Sequence, residues 1–276
     1  IAFRMINSYS QLEEKMVLFW HGILCTADSK TQSYVTSHQE WEMLRRCCMG
    51  NFKDLLIEIS KDPAMIYFLD NCLSHKEAIN ENYGRELLEL FSMGVGMDGE
   101  FNYTEDDVKE CARAFTGWSI ANNIPGQPYG RYPAQFVYNP GDHDEGEKTF
   151  LGHTGNFDGE DIIDIIVKQP ATARFLSRHL YNFFVADEAQ VPAWMDTPVQ
   201  DPETIQMLEE EYFRSGYDIR SMLRVLLNSD AFKNTRFSRI KGPIETVIGT
   251  LRLVGDWSYP KPGFESIFEE MKHMGQ

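Results

Sequence analysis

Three ionisable residues, Glu81, Arg85 and Glu86, share a short stretch with the amphipathic pattern of a helix. The pattern places Leu90 on the apolar side and Glu89 on the polar side. Glu81 and Arg85 are spaced i, i+4, which is typical of a solvated ion pair worth about 0.2–0.5 kcal/mol. Glu86 lies at the edge of the polar arc, where partial burial would raise its pKa or require a partner. We therefore consider Glu86 a candidate base or metal ligand, and Arg85 a candidate contact for an anion or oxyanion.

Two histidines could complete such a site. His21 lies on the partly polar face of a helix predicted over residues 11–24. His143 is followed by Asp144 and then by Lys148, so one loop offers an imidazole, a carboxylate and an amine. Imidazole and carboxylate groups bind divalent metals such as zinc or iron, and they also act as general acids and bases. The predicted site residues are His21, Glu81, Arg85, Glu86, His143, Asp144 and Lys148, and the predicted metal ligands are His21, Glu86 and His143.

Each assignment has a structural alternative. His21 could be a histidine at the edge of the core that is hydrogen-bonded to a neighbour, and the His143–Asp144 pair could stabilise a turn. The charged helix face could form a buried ion-pair network that fixes helix packing. The paired Glu-x-x-His signature of helical di-iron bundles is missing. The sequence also lacks a Gly-x-Ser-x-Gly elbow, a P-loop and a dinucleotide fingerprint, which disfavours a serine hydrolase or a nucleotide enzyme.

The elements that must position these residues are mostly helices. Gly84 costs about 1 kcal/mol relative to Ala inside a helix, which suggests that another element packs close to it. Many Pro and Gly residues predict a loop-rich insertion over residues 120–159, with a short hairpin that pairs residues 136–138 with 149–151. We predict a mainly α fold, a multi-helix bundle in one domain over residues 1–276 that is a fragment of a longer chain. The predicted helices span residues 11–24, 38–49, 51–60, 63–70, 80–93, 104–117, 160–168, 170–185, 202–215, 218–228, 243–254 and 264–274.

The composition disfavours several classes of partner. The chain has 42 Asp and Glu against 26 Lys and Arg, which gives a formal net charge of -16. Nucleic acid and anionic membrane surfaces are therefore disfavoured as partners. No apolar run approaches the roughly 18 residues that would suggest a transmembrane segment. The five cysteines form no CxxC pair and are odd in number, so neither a zinc knuckle nor a disulfide framework is indicated.

Several motifs occur in an order that resembles the bacterial family catalogued as domain of unknown function 1800. They are Phe19-Trp20-His21, Asp62-Pro63-Ala64-Met65, the stretch 80–91, Tyr103-Thr104-Glu105-Asp106-Asp107, residues 114–118, 143–152 and 170–175, and Lys241-Gly242-Pro243-Ile244-Glu245. The resemblance implies an extracytoplasmic bacterial protein of the periplasm, envelope or secreted fraction, with no agreed activity. It also implies a partner from a neighbouring family similar to alkaline-phosphatase-like hydrolases. Ile23 stands where the family pattern has a second histidine after His21, so a two-histidine metal site there loses one ligand.

Two functions of different classes follow from these observations. The first is an extracytoplasmic, metal-assisted hydrolytic enzyme with a divalent metal and a His/Glu site between helices 11–24 and 80–93 and the loop at 143. The second is a non-catalytic envelope or assembly protein whose charged motifs form a buried ion-pair network. The sequence leaves open whether the protein is an enzyme. Side chains of His21, Glu86 and His143 that share one centre would favour the first function.

Overall fold

Helices make up most of the computed structural model, which describes residues 1–121, 133–255 and 257–275. The helices in these ranges are α1 (Ala2–Asn7), α2 (Gln11–Ile23), α3 (Asp28–Thr31), α4 (Tyr34–Cys47), α5 (Phe52–Ser60), α6 (Pro63–Phe68), α7 (Asn82–Glu86), α8 (Glu105–Ala114), α9 (Gly159–Ile166), α10 (Pro170–Phe184), α11 (Pro202–Arg214), α12 (Ile219–Asn228), α13 (Asp230–Asn234), α14 (Pro243–Val254) and α15 (Ser266–His273). The strands form three two-stranded antiparallel sheets, which pair β1 (Gly96–Met97) with β2 (Glu100–Phe101), β3 (Trp118–Ile120) with β4 (Phe136–Tyr138), and β5 (Lys148–Phe150) with β6 (His153–Gly155). The predicted mainly α fold is confirmed. The single domain and its place in a longer chain stay predictions.

Helix starts follow the capping chemistry of the sequence. Thr104 and Asp107 form a capping box at the start of α8, where each side chain accepts a hydrogen bond from the backbone N–H of the other residue. Asp201 caps α11 by accepting from the backbone N–H of Thr204. None of the helices in the described ranges combines the length and the apolar character that a membrane span requires.

The core joins helices from both halves of the chain around large aromatic side chains. Trp20 of α2 stacks on Phe52 of α5 with ring centroids 5.5 Å apart, and its indole N–H donates to the carbonyl of Cys48. Tyr212 of α11 packs edge-on against Phe52 and donates its hydroxyl to the carbonyl of Val167. The buried indole N–H and phenol hydroxyl thus both donate to backbone carbonyls, as buried Trp and Tyr side chains usually do.

The insertion contains a short hairpin, as predicted, but the predicted pairing of residues 136–138 with 149–151 is wrong. β4 pairs with β3, and β5 pairs with β6, across a turn at Leu151 and Gly152. Both turn residues have positive φ values, 46° and 79°, which is the geometry of a tight hairpin turn that matches strand twist. A two-residue turn costs less loop-closure entropy than the longer connection that we predicted. Part of the predicted loop-rich insertion, residues 122–132, lies outside the described residues.

The helix predicted over residues 80–93 has two parts. α7 is followed by a π-helix, Leu87–Ser92, in which the backbone N–H of Met93 donates to the carbonyl of Leu88, five residues earlier. The wider turn changes the helical phase. Leu90 is therefore 43% exposed and Glu89 is half-buried, the reverse of the predicted order. Gly94 follows with a φ of 76°, the left-handed conformation that glycine commonly adopts after the end of a helix.

Gly84 allows α7 and α8 to approach closely, as predicted. A Cβ atom at Gly84 would lie 3.0 Å from the backbone nitrogen of Ala112 and 3.1 Å from the carbonyl oxygen of Val108. We expect Gly84→Ala to lower the free energy of unfolding by about 1–3 kcal/mol, because backbone atoms cannot move aside as a flexible side chain does. Urea denaturation measures this change.

Gly22 offers a matched control for that substitution. It lies within α2, and a Cβ atom there would meet no other atom within 4 Å. Gly22→Ala is therefore expected to stabilise the protein by about 0.5–1 kcal/mol through helix propensity alone. Equal effects of the two substitutions would contradict a close contact between α7 and α8.

Candidate functional site

The loop residues predicted for the site are used to hold the loop on α8. His143 is buried and its Nδ1 donates to the carbonyl of Thr116 at 2.9 Å. Asp144 accepts from Nε and Nη2 of Arg113 at 2.8 and 3.1 Å, and these hydrogen bonds lower the pKa of Asp144 to about 2. The buried Lys148 ammonium donates to two backbone carbonyls of the same segment. These contacts support the structural alternative for the three residues.

His21 lies in a different environment. Its ring stacks on Trp41 of α4 with centroids 4.6 Å apart, and burial lowers the pKa of His21, so its imidazole is neutral at pH 7. Among the described residues, no three His, Cys, Asp or Glu side chains are grouped so that they could hold a metal ion. Metal binding by His21, Glu86 and His143 stays a prediction, because the ring of His21 stacks on Trp41 whereas His143 donates to the carbonyl of Thr116.

Most of the charged face of α7 is an ion-pair cluster. Arg85 donates to both carboxylate oxygens of Glu105, at 2.9 and 2.7 Å, and more weakly to Glu81 at 3.5 Å. Glu105 belongs to α8 and was not predicted as a partner. Glu86 differs, because no side chain or backbone group of the described residues forms a hydrogen bond with its carboxylate. Burial, and then the charge of Glu89, raise the pKa of Glu86.

Two buried carboxyl groups lie where α4 meets the start of α6. Glu40 of α4 is 1% exposed, and Asp62, the N-cap of α6, is also buried. One oxygen of Glu40, Oε2, accepts a hydrogen bond from the hydroxyl of Thr26. The other, Oε1, has no hydrogen-bond partner among the described residues. Asp62 Oδ1 accepts from the backbone N–H groups of Ala64 and Met65 at 2.9 and 3.3 Å.

Burial raises the cost of ionising both carboxyl groups, and the charge of Asp62 adds to that cost for Glu40. Burial, and then the charge of Asp62, raise the pKa of Glu40 from 4.5 to about 8. Burial raises the pKa of Asp62 from 3.8 to about 7. No cationic side chain of the described residues forms an ion pair with either group. The pair therefore holds a proton near neutral pH, as two close carboxyl groups in a poorly solvated site do.

Cys25 follows α2, directly before Thr26, and is partly exposed. Burial of the rest of its thiol, and then the charges of Glu40 and Glu86, raise the pKa of Cys25. A raised pKa keeps Cys25 protonated at pH 7 and makes it a poor nucleophile. We refer to Cys25, Thr26, Glu40, Asp62 and Glu86 as the carboxyl cluster.

Glu40 and Asp62 were absent from the predicted site. The sequence does contain a signal for Glu40, because Met43 and Leu44 follow it at i+3 and i+4, and both are buried. A carboxylate on the apolar stripe of a helix is predicted to be buried, and buried carboxylates are rare unless they are paired. Asp62 precedes Pro63, which is typical of an N-cap, and that ordinary role concealed its burial.

Two ion pairs are buried elsewhere in the described residues. Glu14 Oε2 lies 2.8 Å from Arg45 Nη2, with both side chains buried. Arg178 Nη2 lies 3.1 Å from Glu188 Oε2, and both side chains are 1% exposed. The first pair joins α2 to α4, and the second joins α10 to the segment that follows it. Buried pairs of this kind can specify helix packing while adding little net stability.

Comparison with known proteins identifies a family and no activity. The family model described as protein of unknown function (DUF1800) matches residues 1–276. No curated protein and no solved structure matches the chain. Function must therefore be argued from the carboxyl cluster and its surroundings.

Proposed function

Because the chain belongs to the DUF1800 family of proteins of unknown function, its chemistry has to come from its own residues, and we propose general acid–base hydrolysis at the carboxyl cluster. The observation that carries the proposal is the Glu40–Asp62 pair. It consists of two buried carboxyl groups without a counter-ion, one of which keeps an oxygen, Glu40 Oε1, free of any partner in the described residues. Buried groups of this kind lower stability and are concentrated at functional sites.

The environments of the three carboxyl groups suggest their roles. Glu40, with a pKa of about 8, is the proton donor to the leaving group, because it is still protonated at pH 7. Glu86 is half-buried and unpaired within the described residues, so it can take a proton from the attacking water. The charge of Asp62 adds to the effect of burial on the pKa of Glu40, and the hydroxyl of Thr26 orients the Glu40 carboxyl group. Water thus adds to the substrate as the bond to the leaving group breaks.

The charge of the site restricts the substrate. Three carboxyl groups with no cation among them would repel an anionic substrate such as a phosphate ester. Arg85, predicted as an anion contact, is occupied by Glu105 and Glu81. We therefore propose that the substrate is a neutral ester or glycoside. The metal-assisted mechanism is not carried forward, because the predicted ligands are not grouped.

A panel of neutral p-nitrophenyl esters and glycosides, with p-nitrophenyl phosphate as the anionic comparison, tests the proposal. We expect turnover of a neutral substrate and a loss of at least about 10²-fold in kcat for Glu40→Gln, since glutamine cannot donate the proton. The kcat/KM value should fall as pH rises above the Glu40 pKa of about 8, because the general acid is then ionised.

Glu203→Gln is the control for that experiment. Glu203 is an exposed carboxylate in the first turn of α11, and its replacement should leave kcat unchanged. The proposal would be overturned by unchanged turnover in Glu40→Gln, by turnover of the phosphate ester alone, or by no turnover of any neutral substrate.

A second candidate function is a non-catalytic envelope or assembly protein. Two buried ion pairs, Glu14–Arg45 and Arg178–Glu188, favour it. Under this hypothesis both pairs fix the packing of helices and neither has a chemical role. Under this hypothesis the substrate panel is inactive, and the carboxyl cluster is a polar contact between α4 and α6. The same panel therefore separates the two functions.

We also propose an extracytoplasmic location and a partner from an alkaline-phosphatase-like family. The support for both is the ordered set of family motifs and nothing else in the chain. Fractionation of the native bacterium, followed by immunoblotting of the periplasmic, envelope and secreted fractions, tests the location. Co-purification from the envelope fraction with the product of a neighbouring hydrolase-like gene tests the partner.

A further inference from the structure

The β1–β2 hairpin presents an exposed aromatic side chain on a rigid support. Phe101 at the end of β2 is 75% exposed. The turn residues Asp98 and Gly99 have φ values of 56° and 85°, which suit a two-residue hairpin turn. The backbone N–H of Gly99 donates to the carbonyl of Met195 at 2.9 Å, and Asn102 donates its amide to two carbonyls at the end of the π-helix. The hairpin is thus held in place from both sides.

Phe101 separates two clefts. One, of about 370 Å³, lies between the hairpin and the start of α10 and is lined by Asp98, Glu100 and Arg174. The other, of about 410 Å³, lies between the hairpin and the π-helix and has a mainly apolar wall that includes Tyr103. Each cleft can accept one long side chain from a segment that crosses Phe101. We refer to Phe101 and these two clefts as the hairpin surface.

The hairpin surface is negatively charged, because its cations are already paired. Arg174 lies 2.8 Å from both Asp98 and Glu209, and Arg85 is held by Glu105. Glu89 and Glu100 have no hydrogen-bond or ion-pair partner among the described residues. Each cleft therefore keeps one uncompensated carboxylate beside Phe101.

We propose that the hairpin surface docks a basic, apolar peptide segment of a partner protein. An apolar side chain of the segment packs on Phe101, and lysine or arginine side chains enter the two clefts and pair with Glu89 and Glu100. Charge complementarity selects this occupant, because an acidic segment would meet like charges and a neutral one would leave both carboxylates unpaired. An exposed aromatic anchor with a charged rim is the usual composition of an interface centre. The docking uses side chains that lie outside the carboxyl cluster.

Fluorescence anisotropy with three labelled octapeptides tests the proposal. Each peptide alternates leucine with a second residue, which is lysine, glutamine or glutamate. We expect only the lysine peptide to bind, with an affinity that falls steeply as salt rises. Phe101→Ser, and separately the double substitution Glu89→Gln with Glu100→Gln, should each raise Kd by at least about 10-fold, the effect of losing an interface anchor.

Matched controls distinguish binding at the hairpin surface from non-specific attraction of a basic peptide to an acidic protein. Phe237 is fully exposed elsewhere, and Glu203 and Glu210 are exposed carboxylates on α11. Phe237→Ser and the double substitution Glu203→Gln with Glu210→Gln should leave Kd unchanged. Because Phe101 and Glu100 are exposed, and half-buried Glu89 has no hydrogen-bond partner among the described residues, unfolding curves of the test variants should match the wild type. Equal binding of the glutamine peptide, unchanged binding in Phe101→Ser, or equal loss in the control variants would overturn the proposal.

Discussion

Replacement of Arg178 by methionine is expected to lower the free energy of unfolding by about 3–5 kcal/mol, because it leaves the buried charge of Glu188 without compensation. The guanidinium lies 4.6 Å from the ring centre of Trp194 and donates to the carbonyl of Thr197. Glu188 also accepts from the backbone N–H of Gln200 at 2.7 Å. The pair therefore fastens residues 188–200 to α10, and its loss should release that segment. Denaturation in guanidinium chloride measures the change in the free energy of unfolding.

Two further variants show whether charge is the cause. The double substitution Arg178→Met with Glu188→Gln removes the uncompensated charge and should recover about half or more of the loss. Arg46→Met breaks an exposed pair with Glu58 and should change stability by less than about 0.5 kcal/mol. If the double variant were as unstable as the single one, lost packing on Trp194 would be the cause and the charge argument would fail.

Replacement of Glu40 by glutamine is expected to stabilise the protein at slightly alkaline pH by about 3 kcal/mol, as judged by proton linkage. In the unfolded chain Glu40 loses its proton near pH 4.5, whereas in the folded protein it keeps the proton up to about pH 8. Between these values the unfolded state binds fewer protons, so the stability of the wild type falls as pH rises. Glutamine does not titrate and removes this loss. Denaturation at several pH values across this window measures the difference.

The pH dependence identifies the origin of the gain. The stability advantage of Glu40→Gln should be small below pH 4.5, where Glu40 is protonated in both states of the wild type, and should approach its full value as pH rises to about 8. Asp62→Asn should show the same trend over a pH window that ends near pH 7. Its gain in stability should be smaller, because the Asp62 carboxylate also accepts the N-terminal hydrogen bonds of α6. A gain in stability together with a loss of activity is expected of a functional site. A gain that is equal at both ends of the window would exclude ionisation as its source.

Several structural features follow from local sequence. The capping box of Thr104 and Asp107 and the left-handed conformation of Gly94 depend on neighbouring residues only. The prediction from Gly84 was correct, since a helix retains a destabilising glycine where a neighbour packs closely. The hairpin at residues 136–138 failed because strand pairing depends on which segments the fold brings together.

The candidate site was predicted less well than the fold. Periodicity identified Glu86 as a carboxylate at the margin of burial, and its raised pKa agrees with that position. The chemical types of the loop residues placed His143 and Lys148 at the site, although backbone carbonyls hold both. Glu40 escaped notice because a lone glutamate in an amphipathic helix is normally on the solvent side.

The sequence alone determined the family, the mainly α fold, the acidic charge and most helix starts, because ordered motifs, helical periodicity and capping act over a few residues. Only the tertiary structure decided which carboxylates are buried. Burial of Glu40 and Asp62 requires α2, α4 and α6 to pack together, and ionisation is controlled by that desolvation and by charges that are distant in sequence. The same packing decided that His21 and His143 serve separate parts of the fold, so the proposed chemistry rests on carboxyl groups.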